Sequence, residues 1–144
     1  MSVNTENLEP AVAEFWTRWH EIVASGERDA FAPLLADGIS IGAPPYWDRI
    51  EGRDVVAFLL GVILSTIEEF EYHREWVDGR DLALEFTGRV GDKHVQGIDL
   101  ITLGADGRIE HFDVLMRPLN TIVALREVVA PQMVEFFASQ GGAD

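Results

Sequence analysis

The stretch Val95–Pro118, VQGIDLITLGADGRIEHFDVLMRP, decides the reading of this chain. It is an apolar strand broken by one acid, a tight turn over Gly104-Ala-Asp-Gly107, and a second strand stopped by Pro118. Strand alternation sets Val95, Gly97, Asp99, Ile101 and Leu103 on one face, and Gln96, Ile98, Leu100 and Thr102 on the other. Asp99 therefore shares the face of Val95, Ile101 and Leu103, the side that turns inward. A carboxylate there must find a partner, hold its proton, or look into a cavity. A backbone amide or a nearby Arg satisfies such an acid in a purely structural reading. A functional acid is the other reading, because groups with displaced titration gather at sites.

Outward from this hairpin the strand period continues. Phe70, Tyr72 and Trp76 alternate with Glu69, Glu71, His73 and Glu75, which predicts a half-buried strand with a charged outer face. Asp78-Gly79 and Gly91-Asp92 are turn signals flanking a strand over Leu82–Val90. Before them the period is helical. Val12, Phe15, Trp16, Trp19 and Val23 form one stripe of a helix over Ala11–Ala24, ended by Gly26. A short helix over Asp29–Ala36, a brief strand over Ile39–Ala43 and an apolar helix over Arg53–Ile67 follow. Pro44-Pro45 forces an extended loop through Tyr46, Trp47 and Asp48. After Pro118, Asn120 is the expected cap of a last helix carrying Leu125, Val128, Val129, Met133, Phe136 and Phe137, which Pro131 should kink or break. Gly141–Asp144 reads as a frayed end. Helices first and a meander of long strands after them predict an α+β fold. One strongly bent, mostly antiparallel sheet wraps the N-terminal helices, a C-terminal helix is added, and a pocket lies in the groove between.

Composition bounds the function. A chain of 144 residues, 47% hydrophobic, with four Trp, two Tyr and eight Phe, is one domain (1–144) with a real core; residues 119–140 form its C-terminal helical extension. Eleven basic against 25 acidic residues leave a net charge of -14, a surface that repels phosphate backbones and anionic lipid. Nucleic acid and membrane partners are not expected. With no Cys there is no disulfide, thiol nucleophile or thiolate metal site. His20, His73, His94 and His111 show no metal-ligand spacing, and no phosphate loop or nucleophile elbow appears, so neither metal nor cofactor is expected. The acidic start Met1–Pro10 lacks a signal-peptide pattern, and Val55–Leu64 is too short to span a bilayer; a cytoplasmic protein is the expectation.

Ala36-Asp37-Gly38-Ile39-Ser40-Ile41 followed by Gly52-Arg53-Asp54 resembles the nuclear transport factor 2-like superfamily. Gly97-Ile98-Asp99-Leu100 with Asp106-Gly107-Arg108-Ile109 is similar to its ketosteroid isomerase and SnoaL-like polyketide cyclase branches. The resemblance covers Ala11 to Met116 and implies a conical half-barrel with an apolar pocket at its wide end. Ketosteroid isomerases use an Asp base, a Tyr and a second Asp. Carried over by position, the second Asp falls on Asp99, the base on Ala43 and the Tyr on Trp19, while two supporting tyrosines fall on Leu35 and Leu59. One element of three survives, and Ala43 accepts no proton. The Asp–Arg–Asp set of the limonene epoxide hydrolase branch is absent: its strand reads Glu85-Phe86-Thr87-Gly88 and its later acid falls on Val114.

Turn chemistry alone leaves the hairpin register open, since a three-residue loop with left-handed Gly107 would set Asp113 opposite Asp99. The family spacing runs without a gap and implies that Phe112, Val114 and Met116 share the face of Asp99, with His111 and Asp113 outward. The expected use is cofactor-independent acid–base chemistry, isomerase- or cyclase-like, on an apolar cyclic small molecule such as a polyketide, steroid-like or terpenoid compound. The alternative is a non-catalytic ligand-binding or assembly module. Asp99 is the expected acid, and His20 either pairs with it as a proton shuttle or caps the core edge. Trp19, Leu59, Phe112, Val114 and Met116 are expected to shape the cavity. Tyr46 and Trp47 clamp a flat ligand or pack over a helix. Glu85 either pairs with Asp99 in the pocket or points outward. Arg117 is expected to pair with an acid on the last helix or on a partner. The family habit of pairing convex sheet faces implies a homodimer.

Overall fold

The computed structural model describes residues 3–141. Three α-helices, α1 (Pro10–Ser25), α2 (Arg53–Thr66) and α3 (Leu119–Gly141), accompany six strands: β1 (Leu35–Gly42), β2 (Ile50–Glu51), β3 (Glu68–Asp78), β4 (Asp81–Val90), β5 (Lys93–Leu103) and β6 (Ile109–Arg117). Proline at the first position opens α1, and Gly26, left-handed at φ 73°, closes it with its N–H on Ile22 O. The strands form one open sheet in the order β2-β1-β6-β5-β4-β3. Only β1 and β6 run parallel; every other neighbouring pair is antiparallel. Left-handed Gly79 and Gly91 supply the β3–β4 and β4–β5 turns at the predicted positions.

The inward face of the sheet packs on α1 and α2 to build the core. Phe15, Trp19 and Ile22 of α1 meet Val56 and Leu60 of α2 and Leu84, Phe86, Ile101 and Phe112 of the sheet. Asp99 pairs with Val114, Ile101 with Phe112 and Gly97 with Met116, which is the family register. Pairing Asp113 with Asp99 would have turned Phe112, Val114 and Met116 to the outside.

Four local expectations are corrected. The helix over Asp29–Ala36 is a single 3-10 turn, Ala32–Leu34, after which Leu35 and Ala36 already belong to β1. Leu35 is completely buried opposite Ile109, and that sheet pairing outweighs local helix propensity. β3 does not keep one alternation: its register shifts between Tyr72 and Glu75 against Phe86 and Leu84. The extra residue turns Glu75 inward and Trp76 outward, where Arg74 lies over its ring. Asn120 is not the cap of α3, which starts at Leu119 and gives the Thr121 and Ile122 N–H groups to Pro118 O. Pro131 does not break α3, which runs through it while the Gln132 side-chain amide donates to Val128 O, 3.1 Å away. The frayed-end expectation for Gly141–Asp144 lies, from 142 onward, outside the described residues.

Candidate functional site

Asp99 sits in the middle of β5, where the strand pattern turns it toward the helices and 6% of its surface remains exposed. Its Oδ2 accepts a hydrogen bond of 2.7 Å from the Tyr72 hydroxyl. That hydroxyl in turn accepts one of 2.9 Å from Trp19 Nε1–H. The order is fixed by chemistry, because an indole only donates and a carboxylate accepts. Trp19 is held in place by aromatic neighbours, with ring centroids 5.6 Å from Phe15, 5.2 Å from Phe31 and 5.7 Å from Phe112. The relay therefore runs from α1 through β3 to β5, across inward-facing Phe86 of β4. Gly97 makes room for it: a Cβ there would collide with the Phe86 ring and with Leu115 O.

A cavity of about 60 Å³ adjoins the acid. Trp19, Tyr72, Phe86, Phe112, Val114 and Met116 are among its walls, and Asp99 and Tyr72 are the titratable groups that line it. Burial is the dominant influence on Asp99 and raises its pKa to about 7, against the opposing pull of the Tyr72 hydrogen bond. Tyr72 is pushed well above its ordinary value, first by burial and then by the adjacent Asp99 charge, so it stays protonated and donates. The outcome is a carboxyl that exchanges its proton near neutrality inside a small, mostly apolar hollow. Such a group both gives and takes a proton without a partner acid.

Of the residues expected at the site, Asp99, Trp19, Phe112, Val114 and Met116 come together around this hollow. Tyr46 and Leu59 do not reach it; they line a second, larger cavity of about 270 Å³ beneath α3. Trp47 is 96% exposed and belongs to a surface depression on the outer side, beside Leu100 and Leu115. Its loop is held from outside, where Arg49 binds Asp113 and Ser40, and no inward packing holds the ring.

Glu85 is not a pocket residue. Leu84 and Phe86 on either side of it pair with Asp99 and Gly97, so Glu85 faces the convex side. There Arg74 Nε and Nη2 each donate to it at 2.7 Å and Gln96 at 2.9 Å. The Arg74 bond is the main cause that lowers its pKa to about 2, which leaves it a fixed anion. Among the described residues Arg117 pairs with no acid of the last helix; it donates to Gln96 Oε1 at 2.8 Å.

His20 does not pair with Asp99 either. Its Nε2 lies 2.6 Å from Glu75 Oε1, without the alignment of a hydrogen bond, and its ring packs edge-on against Tyr72 at 5.1 Å. The bulge in β3 brings Glu75 inward and gives His20 this other acid. Burial raises the Glu75 pKa while His20 opposes the rise.

Tyr72 is the residue that sequence reasoning missed. The alternation of β3 already places it inward, and a buried phenol demands a hydrogen-bond partner, which was the available signal. No cluster of three His, Asp or Glu side chains suited to a metal occurs among the described residues. Nor is any described helix long and apolar enough to cross a membrane.

An open mixed sheet bent over helices defines a class of small α+β cone proteins. Solved structures of that class match this chain. A steroid delta-isomerase from Pseudomonas aeruginosa is 33% identical, with a TM-score of 0.85 over 92% of this chain and 98% of that one. An uncharacterised bacterial protein with a cystatin-like fold from Silicibacter pomeroyi DSS-3 is 39% identical, with a TM-score of 0.78 over 82% of this chain and 84% of that one. An NTF2-like protein of unknown function from Mesorhizobium loti, 20% identical, shares the fold at a TM-score of 0.68 over 82% and 97%. No protein-family model matches the sequence, and no functionally curated protein matches it. The chain belongs to the nuclear transport factor 2-like superfamily.

Proposed function

We propose that this protein is a cofactor-independent small-molecule enzyme with isomerase- or cyclase-type acid–base chemistry, acting on an apolar, ring-containing carbonyl compound of polyketide, steroid-like or terpenoid character. The observation that carries this is the buried carboxyl of Asp99, facing an apolar hollow and titrating at about 7. As carboxylate it removes a proton from carbon next to the substrate carbonyl; the acid so formed returns that proton to another carbon of the same conjugated system. The electron pair moves through the enolate and the carboxylate is regenerated. Tyr72 steadies the anion and Trp19 fixes Tyr72. The similarity to a steroid delta-isomerase supports a scaffold suited to such chemistry.

The test is exchange of the α-hydrogens of a methyl ketone in deuterated buffer. Wild type should catalyse exchange, and Asp99→Asn should slow it by about 100-fold or more, the usual contribution of a positioned acid–base group. Equal rates in the two proteins remove Asp99 from the reaction. A second reading, a non-catalytic ligand-binding module, is favoured by Ala43, which accepts no proton at the position where the resemblance to ketosteroid isomerases sets their base. Ketone binding to wild type without exchange would establish that reading.

Assembly as a homodimer through the convex face belongs to the same proposal. Trp76, Leu100 and Leu115 stand 44%, 41% and 56% exposed on that face, apolar surface that a second copy would cover. Sedimentation at several concentrations checks it, and a monomer throughout refutes it. Neither nucleic acid nor membrane is proposed as a partner, given the charge of -14.

A further inference from the structure

The hollow beside Asp99 is too small for the molecule its chemistry would act on. A cavity of about 150 Å³ holds one benzene, and this one has about 60 Å³. It admits a carbonyl and a carbon or two, not a ring. Pro44, Ile63 and Leu125 form part of its wall, and the same three residues line the cavity of about 270 Å³ beneath α3. The second cavity lies between buried Leu59 of α2 and Leu125, Val129, Met133, Val134 and Phe137 of α3, of which Leu125 and Met133 are buried. Its one charged residue is Arg126, exposed on the helix. Together the two spaces reach the lower range of small-molecule sites, about 300 Å³ upward.

We infer that the two cavities are one binding site split by function: the inner hollow takes the oxygenated head of the ligand, and the α2–α3 cleft takes its apolar body. The occupant is an elongated, uncharged molecule with a terminal carbonyl and a hydrocarbon or ring-bearing tail, about one benzene ring or somewhat larger in the part that fills the cleft. This rests on the reading of Asp99 as the group that meets the carbonyl. It assigns to α3 the choice of ligand length, a role that the acid itself does not have.

Methyl ketones with tails from propyl to heptyl are the probes, with the NMR shift of the Trp19 indole N–H reporting occupation of the hollow. In wild type the affinity should rise about fourfold for each added methylene, as for burial of hydrocarbon. Val129→Trp, which fills the cleft, should abolish that rise; Ala130→Phe repeats the test if the first variant melts early. Asp99→Asn should weaken all tail lengths alike. A flat series that still shifts Trp19 overturns the cleft assignment while leaving the Asp99 reading intact. A length dependence that ignores Asp99→Asn and never moves Trp19 separates the two cavities and sinks the Asp99 reading instead. A flat series together with a dimer that Val129→Trp dissociates gives the cleft to a second copy and overturns the inference.

Discussion

Asp99 carries an energetic cost that makes it measurable without any substrate. Its folded pKa of about 7 stands above an ordinary value of 3.8. Folding therefore binds its proton more tightly, and the stabilisation from the protonated form is complete below about pH 4 and lost as pH rises through 7. The gap corresponds to about 4 kcal/mol. The stability of wild type relative to Asp99→Asn should fall by roughly that amount between about pH 4 and about pH 8, and stay level above it. Paired urea titrations read this difference; Glu75, whose pKa is also raised, is present in both proteins and cancels. A difference that does not move with pH would mean that Asp99 titrates like an exposed acid. The inward carboxyl was visible in the alternation of Val95–Leu103, since one residue period decides a face. Its partner was not: Tyr72 reaches it from two strands away, and no local spacing encodes that distance.

Strand geometry explains which expectations held. β5 and β6 keep their period over Gln96–Thr102 against His111–Arg117, so Asp99, Ile101, Phe112, Val114 and Met116 fell on the predicted face; the register shifts only beyond Thr102, where Leu103 meets Ile109. β3 shifts register twice, between Glu68 and Glu71 and between Tyr72 and Glu75, and at the second shift Glu75 and Trp76 exchange sides. A bulge leaves no clear trace in composition, because its cost and gain arise from packing against β4. Gly97 is the corresponding device in β5. Gly97→Ala would drive a methyl into the Phe86 ring and Leu115 O, and overpacking of this kind costs about 1–3 kcal/mol. Urea midpoints should drop accordingly, and the Asp99 carboxyl should change its titration as Phe86 shifts. An unchanged midpoint would show that the strand has room to yield.

Charge acts on the molecule as a whole. With 25 acidic against 11 basic residues, self-repulsion opposes the compact state. Raising salt from about 0.01 M to about 0.1 M shortens the screening length from about 30 Å to about 10 Å. The thermal midpoint should rise by a few degrees over that range; a fall would show that the surface ion pairs, such as Arg89 with Glu68 and Glu69, outweigh the repulsion. The sequence by itself determined the class of fold and the face of Asp99, because period, turn residues and residue identity are local properties. Only the tertiary structure decided that Tyr72 and Trp19 hold the acid, that Glu75 takes His20, that Glu85 is bound to Arg74 outside, and that α3 roofs a second cavity. Those pairings join residues from 11 to more than 50 positions apart, and their partners are chosen by sheet curvature, one bulge and the packing of helices, none of which any single stretch of chain contains.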